Sequence, residues 1–291
     1  MYRGECKMRS KFFWCVVGVL FAGLLCGCNK NRKPFDYELY GLNTPVKSVK
    51  VTTYKAVCKF GDITKSDIAG WENYLALFNE SGNLESISFF DDQGDCYSVE
   101  KRRYNNDNVL IETSLFDDEG NLKSQISDEY NGSRMITSTW RILYLDTAEI
   151  IVSRYKYEHG RLVEINNMSN GELLNKTIYS RYDKECIEGV IYNKDGQEDV
   201  KFIEYFNDNG QIIKRNAGEY CLEVEWNELN LPIKLKGATL HNNTIVAYYT
   251  DKENVFDVEY EYDERGNWIR QIVYEGEMKR PKSISEREII Y

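Results

Sequence analysis

The chain has 291 residues, with 37 Lys and Arg against 47 Asp and Glu, a formal charge of −10 and only two histidines. A surface this acidic repels phosphate backbones, and no basic stripe with interleaved aromatics offsets it, so nucleic acid is not an expected partner. With no CxxC pair and no Cys/His cluster, neither a structural zinc site nor a thioredoxin-like redox site is expected.

Residues 1–27 read as a lipoprotein signal peptide. Arg3, Lys7, Arg9 and Lys11 precede an apolar run from Phe12 to Leu25, which has the size of a signal-peptide core and is short for a bilayer span. Met8 is an alternative start to Met1. The run ends in Leu25-Cys26-Gly27-Cys28, an aliphatic residue three before a cysteine with small residues next, and this resembles the lipobox of bacterial lipoproteins. The resemblance implies that the Cys28 thiol accepts a diacylglycerol and that cleavage falls in front of it. An ordinary cleaved signal and a short uncleaved anchor are the alternatives; Cys26 is a poorer acceptor, because Leu25 would then occupy the small-residue position. Without residues 1–27 the chain keeps 33 basic against 46 acidic residues, a formal −13. Residues 28–34 read as a polar, basic tether beside lipid headgroups. With no acid directly after Cys28, an outer-membrane lipoprotein is expected, its leaflet open.

Residues 35–291 read as one β domain. Val46 to Phe60 is rich in β-branched residues and reads as one or two strands, and residues 60–71 (GDITKSDIAGWE from Gly61) as a loop that leads into the first hairpin and caps the sheet edge. From residue 78 an aromatic followed by three mostly polar residues and then Gly or Asn recurs: Phe78/Gly82, Phe90/Gly94, Tyr104/Asn108, Phe116/Gly120, Tyr192/Gly196, Phe206/Gly210, Trp226/Asn230 and Tyr262/Gly266, with Tyr182 joined by Cys186 in the Gly place. This is the grammar of a hairpin turn: the aromatic ends a strand, and Gly82, Gly94, Gly120, Gly196, Gly210 or Gly266 takes the positive φ of a bulged turn. Asn131-Gly132, His159-Gly160 and Asn170-Gly171 suit two-residue connections, and Glu275-Gly276 is a weaker candidate. In Asp257-Val-Glu-Tyr-Glu-Tyr262 one face is apolar and aromatic and the other charged. With four prolines and no long 3.6-residue period, the expected fold is all-β: a long antiparallel hairpin meander forming a curled or solenoid-like single sheet.

The turns FNESGNL (78–84), FDDEGNL (116–122) and YDERGNW (262–268) resemble the tyrosine–aspartate (YD) repeats of Rhs-type proteins, and the chain after the signal is similar to YD-like repeat lipoproteins of Bacteroides-type bacteria. The resemblance implies a meander that curls on itself, as YD repeats do when they build a shell. It supplies no activity. Residues 133–156 and 231–255 lack the turn motif, and the chain is too short for a large toxin-enclosing shell.

Chemistry is sparse. Asp91-Asp-Gln-Gly-Asp95 and Asn207-Asp-Asn-Gly-Gln211 echo the start of a calcium loop but lack the remaining positions and the closing Glu, so no metal or other cofactor is expected. Asp117 and Asp118 are adjacent acids on a turn, without the opposed geometry of a glycosidase pair. His159 and His241 read as solvated loop residues. Trp140, Trp226 and Trp268 are either a stacking platform for sugar or peptide or aromatic core. Asp146-Thr147-Ala148 resembles an O-glycosylation acceptor, which would place Thr147 on the surface. Cys58, Cys96, Cys186 and Cys221 are small buried apolar residues or disulfide partners. The expected function is a non-catalytic cell-envelope module that binds a protein or glycan. An envelope hydrolase acting on glycan or peptide and an immunity or accessory partner of a secreted toxin are the alternatives.

Overall fold

The computed structural model describes residues 36–70, 72–143, 147–218, 220–241, 244–247 and 255–291. The signal peptide, Cys28 and the tether expected from the sequence lie outside the described residues. Among the described residues one short helix, α1 (Asp36–Leu39), precedes the strands β1 (Ser48–Lys59), β2 (Asp62–Ile68), β3 (Asn73–Phe78), β4 (Leu84–Phe90), β5 (Cys96–Tyr104), β6 (Leu110–Asp117), β7 (Leu122–Asn131), β8 (Arg134–Leu143), β9 (Ala148–Glu158), β10 (Arg161–Ser169) and β11 (Glu172–Tyr182). They continue as β12 (Cys186–Asn193), β13 (Glu198–Phe206), β14 (Ile212–Ala217), β15 (Tyr220–Trp226), β16 (Pro232–Lys236), β17 (Ala238–His241), β18 (Thr244–Ala247), β19 (Val255–Tyr262), β20 (Trp268–Glu275) and β21 (Arg280–Ile290).

The chain is all-β and antiparallel, as its turn grammar implies. Its sheet is closed rather than solenoid-like. Each strand from β3 to β16 pairs with the next, β16 passes over the separate β17–β18 hairpin to β19 (Leu235 opposite Phe256), and β21 returns to β1, with Val49 opposite Ile289 and Val51 opposite Arg287. Among the described residues the ring has 18 strands, and β2 makes the nineteenth of the sheet. Residues 62–68, expected as loop, are therefore strand: β2 pairs with the far half of β1, Lys59 opposite Asp62 and Ala56 opposite Lys65, so this hairpin stands beyond the rim. It caps no edge, because closure leaves the ring none. We call the end where β1 begins and β21 finishes the near rim, and the other the far rim.

The turns show what the aromatic repeat encodes. In every copy the residue after the aromatic is Asp or Asn, and its Oδ1 accepts backbone N–H groups across the turn. Asn207 accepts from Asn209 (3.0 Å) and Gln211 (2.9 Å), and Asn79, Asp91, Asn105, Asn193, Asn227 and Asp263 repeat the pattern. The fifth residue closes the turn at positive φ: 76° at Gly82, 89° at Gly94, 83° at Gly120, 78° at Gly196, 75° at Gly210, 76° at Gly266, 57° at Asn108 and 60° at Asn230. A register shift then lets the aromatic face a residue six positions on, as Phe116 faces Leu122; this is a bulged turn. The Tyr182 copy is shorter than expected. Cys186 is the first residue of β12 rather than the left-handed one, and Asp183 Oδ1 caps Glu185 and Cys186 directly. The loop expected at Asn131-Gly132 falls one residue later, since Asn131 pairs with Arg134.

Residues 36–47 form a strap that fixes which face is the lumen. Asp36 Oδ2 accepts the Leu84 N–H of β4 at 3.0 Å, while a Cβ at Gly41 would lie 2.6 Å from Leu231, just before β16. Along the wall these strands are six ring positions apart, about 29 Å at ~4.8 Å per strand. The five residue steps from 36 to 41 span at most about 18 Å. The strap touches both only by crossing the concave side, so the ring is drawn in at the near rim. The strap's Tyr37, Leu42 and Val46 pack there with Val49, Val51, Tyr74, Ala76, Phe78, Leu84 and Ile87. Two further apolar clusters line the lumen, one around Ile165, Ile187 and Phe202 and one around Leu235, Phe256 and Val258. Each fully buried Leu, Ile or Phe contributes about 1.5–3 kcal/mol of transfer free energy.

Side chains alternate along a strand, so the neighbours of these lumen residues face outward. That outer wall mixes charged side chains with single exposed apolar ones such as Leu77, Ile150, Ile178 and Tyr205. Cross-strand ion pairs join Lys50 to Glu288 (4.0 Å), Arg103 to Glu112 (2.6 Å), Lys214 to Glu223 (2.9 Å), Lys234 to Glu225 (3.5 Å) and Arg270 to Glu261.

Candidate functional site

Directly opposed residues in an antiparallel pair share a face, which lets the lumen wall be followed around the ring. From Ile87, packed under the strap, it passes to Glu100 on β5, Leu115 on β6, Ser124 on β7 and Ile142 on β8. Steps of two along these strands add Arg102, Asp128, Ser138 and Trp140. The row continues through opposed pairs: Asp128 with Ser138, Ser138 with Ser153, Ser153 with Asn167, and Asn167 with Asn175. On β5–β11 the lumen thus carries a polar, mostly half-buried row beside apolar side chains such as Leu115, Ile142 and Ile165, while elsewhere it is mainly apolar, with the buried ion pair Glu204–Arg215 (2.7 Å) on β13 and β14 and the buried Gln271, Ser285 and Arg287 on β20 and β21.

The polar wall is preorganised by its own hydrogen bonds. Ser153 Oγ donates to Asn167 Oδ1 at 2.6 Å, and Asn167 Nδ2 donates to Asn175 Oδ1 at 2.7 Å. Beside them Asp128 lies near two phenols. Burial first, and then the Asp128 charge, pushes Tyr130 up to about 12 and raises Tyr155 as well, so both stay neutral donors. Hydroxyls, amides and neutral phenols next to the Trp140 indole form a surface that hydrogen-bonds and stacks on polar, uncharged groups.

A second polar group sits where the strap enters. Asp36 accepts from the Tyr104 hydroxyl and lies 3.6 Å from Arg102 Nη1, whose Nε donates to Glu100 at 2.7 Å. Burial works against the Arg102 charge, but Glu100, Tyr40 and Asp36 outweigh it and leave the guanidinium more firmly protonated than usual. Burial, reinforced by the hydrogen bond to Asp36, holds the Tyr104 phenol protonated. This group is a clamp between strap and wall.

The three tryptophans do not form one platform. Trp140 is half-buried on the polar wall. Trp226 ends β15 and donates from Nε1 to the Ile212 carbonyl at 2.9 Å. Trp268 is buried under the strap, with Arg287 Cζ 3.4 Å from its ring centroid. Thr147 is exposed between β8 and β9; Asp146, the first residue of its motif, lies outside the described residues. Cys58, Cys96, Cys186 and Cys221 are free thiols on β1, β5, β12 and β15. Asp91 and Asn207, the first oxygens of the calcium-like stretches, are committed to backbone N–H groups. Among the described residues no three His, Cys, Asp or Glu side chains converge to hold a metal ion.

No family model and no curated protein matches the chain. Among solved structures it is similar to a porin-like protein from Bacteroides uniformis, at 11% identity and a TM-score of 0.38 over 84% of this chain and 97% of that one. A porin-like protein from Bacteroides vulgatus is similar at 13% identity and a TM-score of 0.38, over 84% and 98%. Likenesses at this level carry no argument about the chain; its closure rests on the strand pairing above.

Sequence reasoning missed the strap clamp, the polar row and Arg287. One signal was available. In Ile284-Ser-Glu-Arg-Glu-Ile289, alternation puts Ser285, Arg287 and Ile289 on one face and Glu286 and Glu288 on the other, so Arg287 falls on the side away from the acids.

Proposed function

We propose that this chain is a non-catalytic cell-envelope lipoprotein, tethered through Cys28, whose barrel stands in water and binds a neutral glycan along the polar wall of its lumen. The observation that carries the reading is the inversion of the two faces. A membrane-spanning barrel turns an apolar band outward, where each Lys or Arg near the midplane costs roughly 2–4 kcal/mol. Here Lys, Arg and Glu ladders face outward, while apolar clusters and the row Asp128, Ser138, Ser153, Asn167, Asn175 face inward. The lipobox-like Cys28 supplies the membrane attachment that such a wall cannot. The eight residue steps from Cys28 to Asp36 reach about 29 Å at most, which turns the near rim toward the bilayer. The YD-like turns belong to the same reading, as the scaffold that holds the wall in register.

Two experiments test it. Cys28→Ala should move the protein from the membrane fraction to the soluble fraction; unchanged membrane association refutes the tether. Neutral oligosaccharides should change the intrinsic fluorescence of the chain, and the change should disappear in Trp140→Phe and weaken in Asn167→Leu. A response that persists in Trp140→Phe would move the site off this wall.

A further inference from the structure

Beneath the strap the lumen holds a cation that has no counter-charge among the described residues. Arg287 is 6% exposed and Trp268 1%. Arg287 Nη2 donates to the Tyr40 carbonyl at 2.7 Å and Tyr74 also hydrogen-bonds the guanidinium, while among the described residues Nε and Nη1 have no acceptor, and neither has Trp268 Nε1. Around the guanidinium stand Tyr40, Tyr74 and Tyr260, and among the described residues no carboxylate pairs with it. Acids do occur near the strap, but Arg102 takes them: Glu100 at 2.7 Å and Asp36 at 3.6 Å. An unpaired buried guanidinium is among the most expensive groups a fold can hold, and buried charges are met by a partner. Here three nitrogens on two stacked groups lack acceptors among the described residues, and the partners supplied to the guanidinium, the Tyr40 carbonyl and Tyr74, are neutral.

We propose that the space under the strap, at Arg287 and Trp268, is a binding site for a small oxyanion, a carboxylate or a phosphate. Arg287 supplies the charge and an unpartnered N–H edge, at Nε or at Nη1, which face opposite sides of the guanidinium, and Trp268 Nε1 supplies a further donor. Water alone would satisfy the hydrogen bonds and leave the charge unmet, whereas an oxyanion answers both needs. The strap covers the site: a Cβ at Gly41 would lie 3.5 Å from Trp268 Nε1. The site does not depend on glycan binding at the polar wall.

The test is thermal unfolding of the full chain, followed by fluorescence, in titrations of acetate, inorganic phosphate and chloride at matched ionic strength. A saturable rise in the midpoint with acetate or with phosphate, and not with chloride, is expected; whichever saturates at lower concentration identifies the source as carboxylate or phosphate. Arg287→Met should abolish the rise, and in oxyanion-free buffer it should be no less stable than the parent, since it removes an unpaired charge. If Arg287→Met does not fold, Trp268→Phe, which keeps an aromatic ring and removes one donor, should weaken the apparent affinity by about tenfold. Equal responses to all three salts, or a rise that survives both substitutions, overturns the proposal.

Discussion

Val49 at the start of β1 lies directly opposite Ile289 near the end of β21, and this pairing closes the ring. Removing residues 280–291 would open two long edges, on β1 and β20, and expose Val49, Val51 and Thr53. The truncated chain is expected to lose cooperative unfolding and to self-associate through its edges. Circular dichroism melts and sedimentation compare it with the full chain. A monomer with an unchanged melt would show that the seam does not hold the barrel.

Asn207 accepts two backbone N–H groups across its turn. Asn207→Ala leaves both without that partner and should lower stability by about 1–2 kcal/mol, while Asn207→Asp should stay within about half a kcal/mol of the parent. Urea unfolding of the three proteins measures the difference.

Gly120 closes its turn at φ 83° with open space around it, so the backbone alone decides what replaces it. Gly120→Val should cost more than about 1 kcal/mol, because a β-branched residue is strained at such an angle, and Glu119→Val on the same turn should cost far less. Similar losses from the two variants would mean that side-chain crowding, not φ, sets the cost.

The Asp117 carboxyl is held at about 2 by its hydrogen bond to Lys123, helped by the N–H of Asn121. Its folded value lies below its unfolded one, so its contribution to stability is present above the ordinary carboxylate range and fades as pH falls through about 2. An NMR titration should find the Asp117 carboxyl near that value, and Lys123→Met should return it toward the ordinary range. A normal titration in the parent chain would show that the ion pair does not form in solution.

The architecture was legible because it is written locally. The Phe116–Leu122 grammar carries strand end, turn and strand start within seven residues, and the chain repeats it. Its most regular letter, the Asx after each aromatic, was visible too, but its role depends on an oxygen meeting backbone N–H groups two and four positions on, which composition alone does not reveal. Closure was hidden because the Val49–Ile289 contact joins residues at opposite ends of the domain. Residues 61–71 misled because Gly61, Gly70 and their polar neighbours look like loop, whereas β2 is a strand held on one side only, with little apolar surface to bury. The lumen site was hidden for a similar reason: Ser153, Asn167 and Asn175 are ordinary strand residues until the register brings them into one row.

The pairing order also says how the barrel is made. Every ring contact except the seam joins strands that lie close along the chain, β1 and β3 being separated only by β2, and β16 and β19 only by the small β17–β18 hairpin. Hairpins can therefore form in the order of synthesis, each closing a short loop at little entropic cost. The β1–β21 step alone closes a loop of more than two hundred residues. Until it does, the growing sheet has two exposed edges, so between the emergence of β1 and the arrival of β21 the chain offers unpaired strands to any other strand it meets.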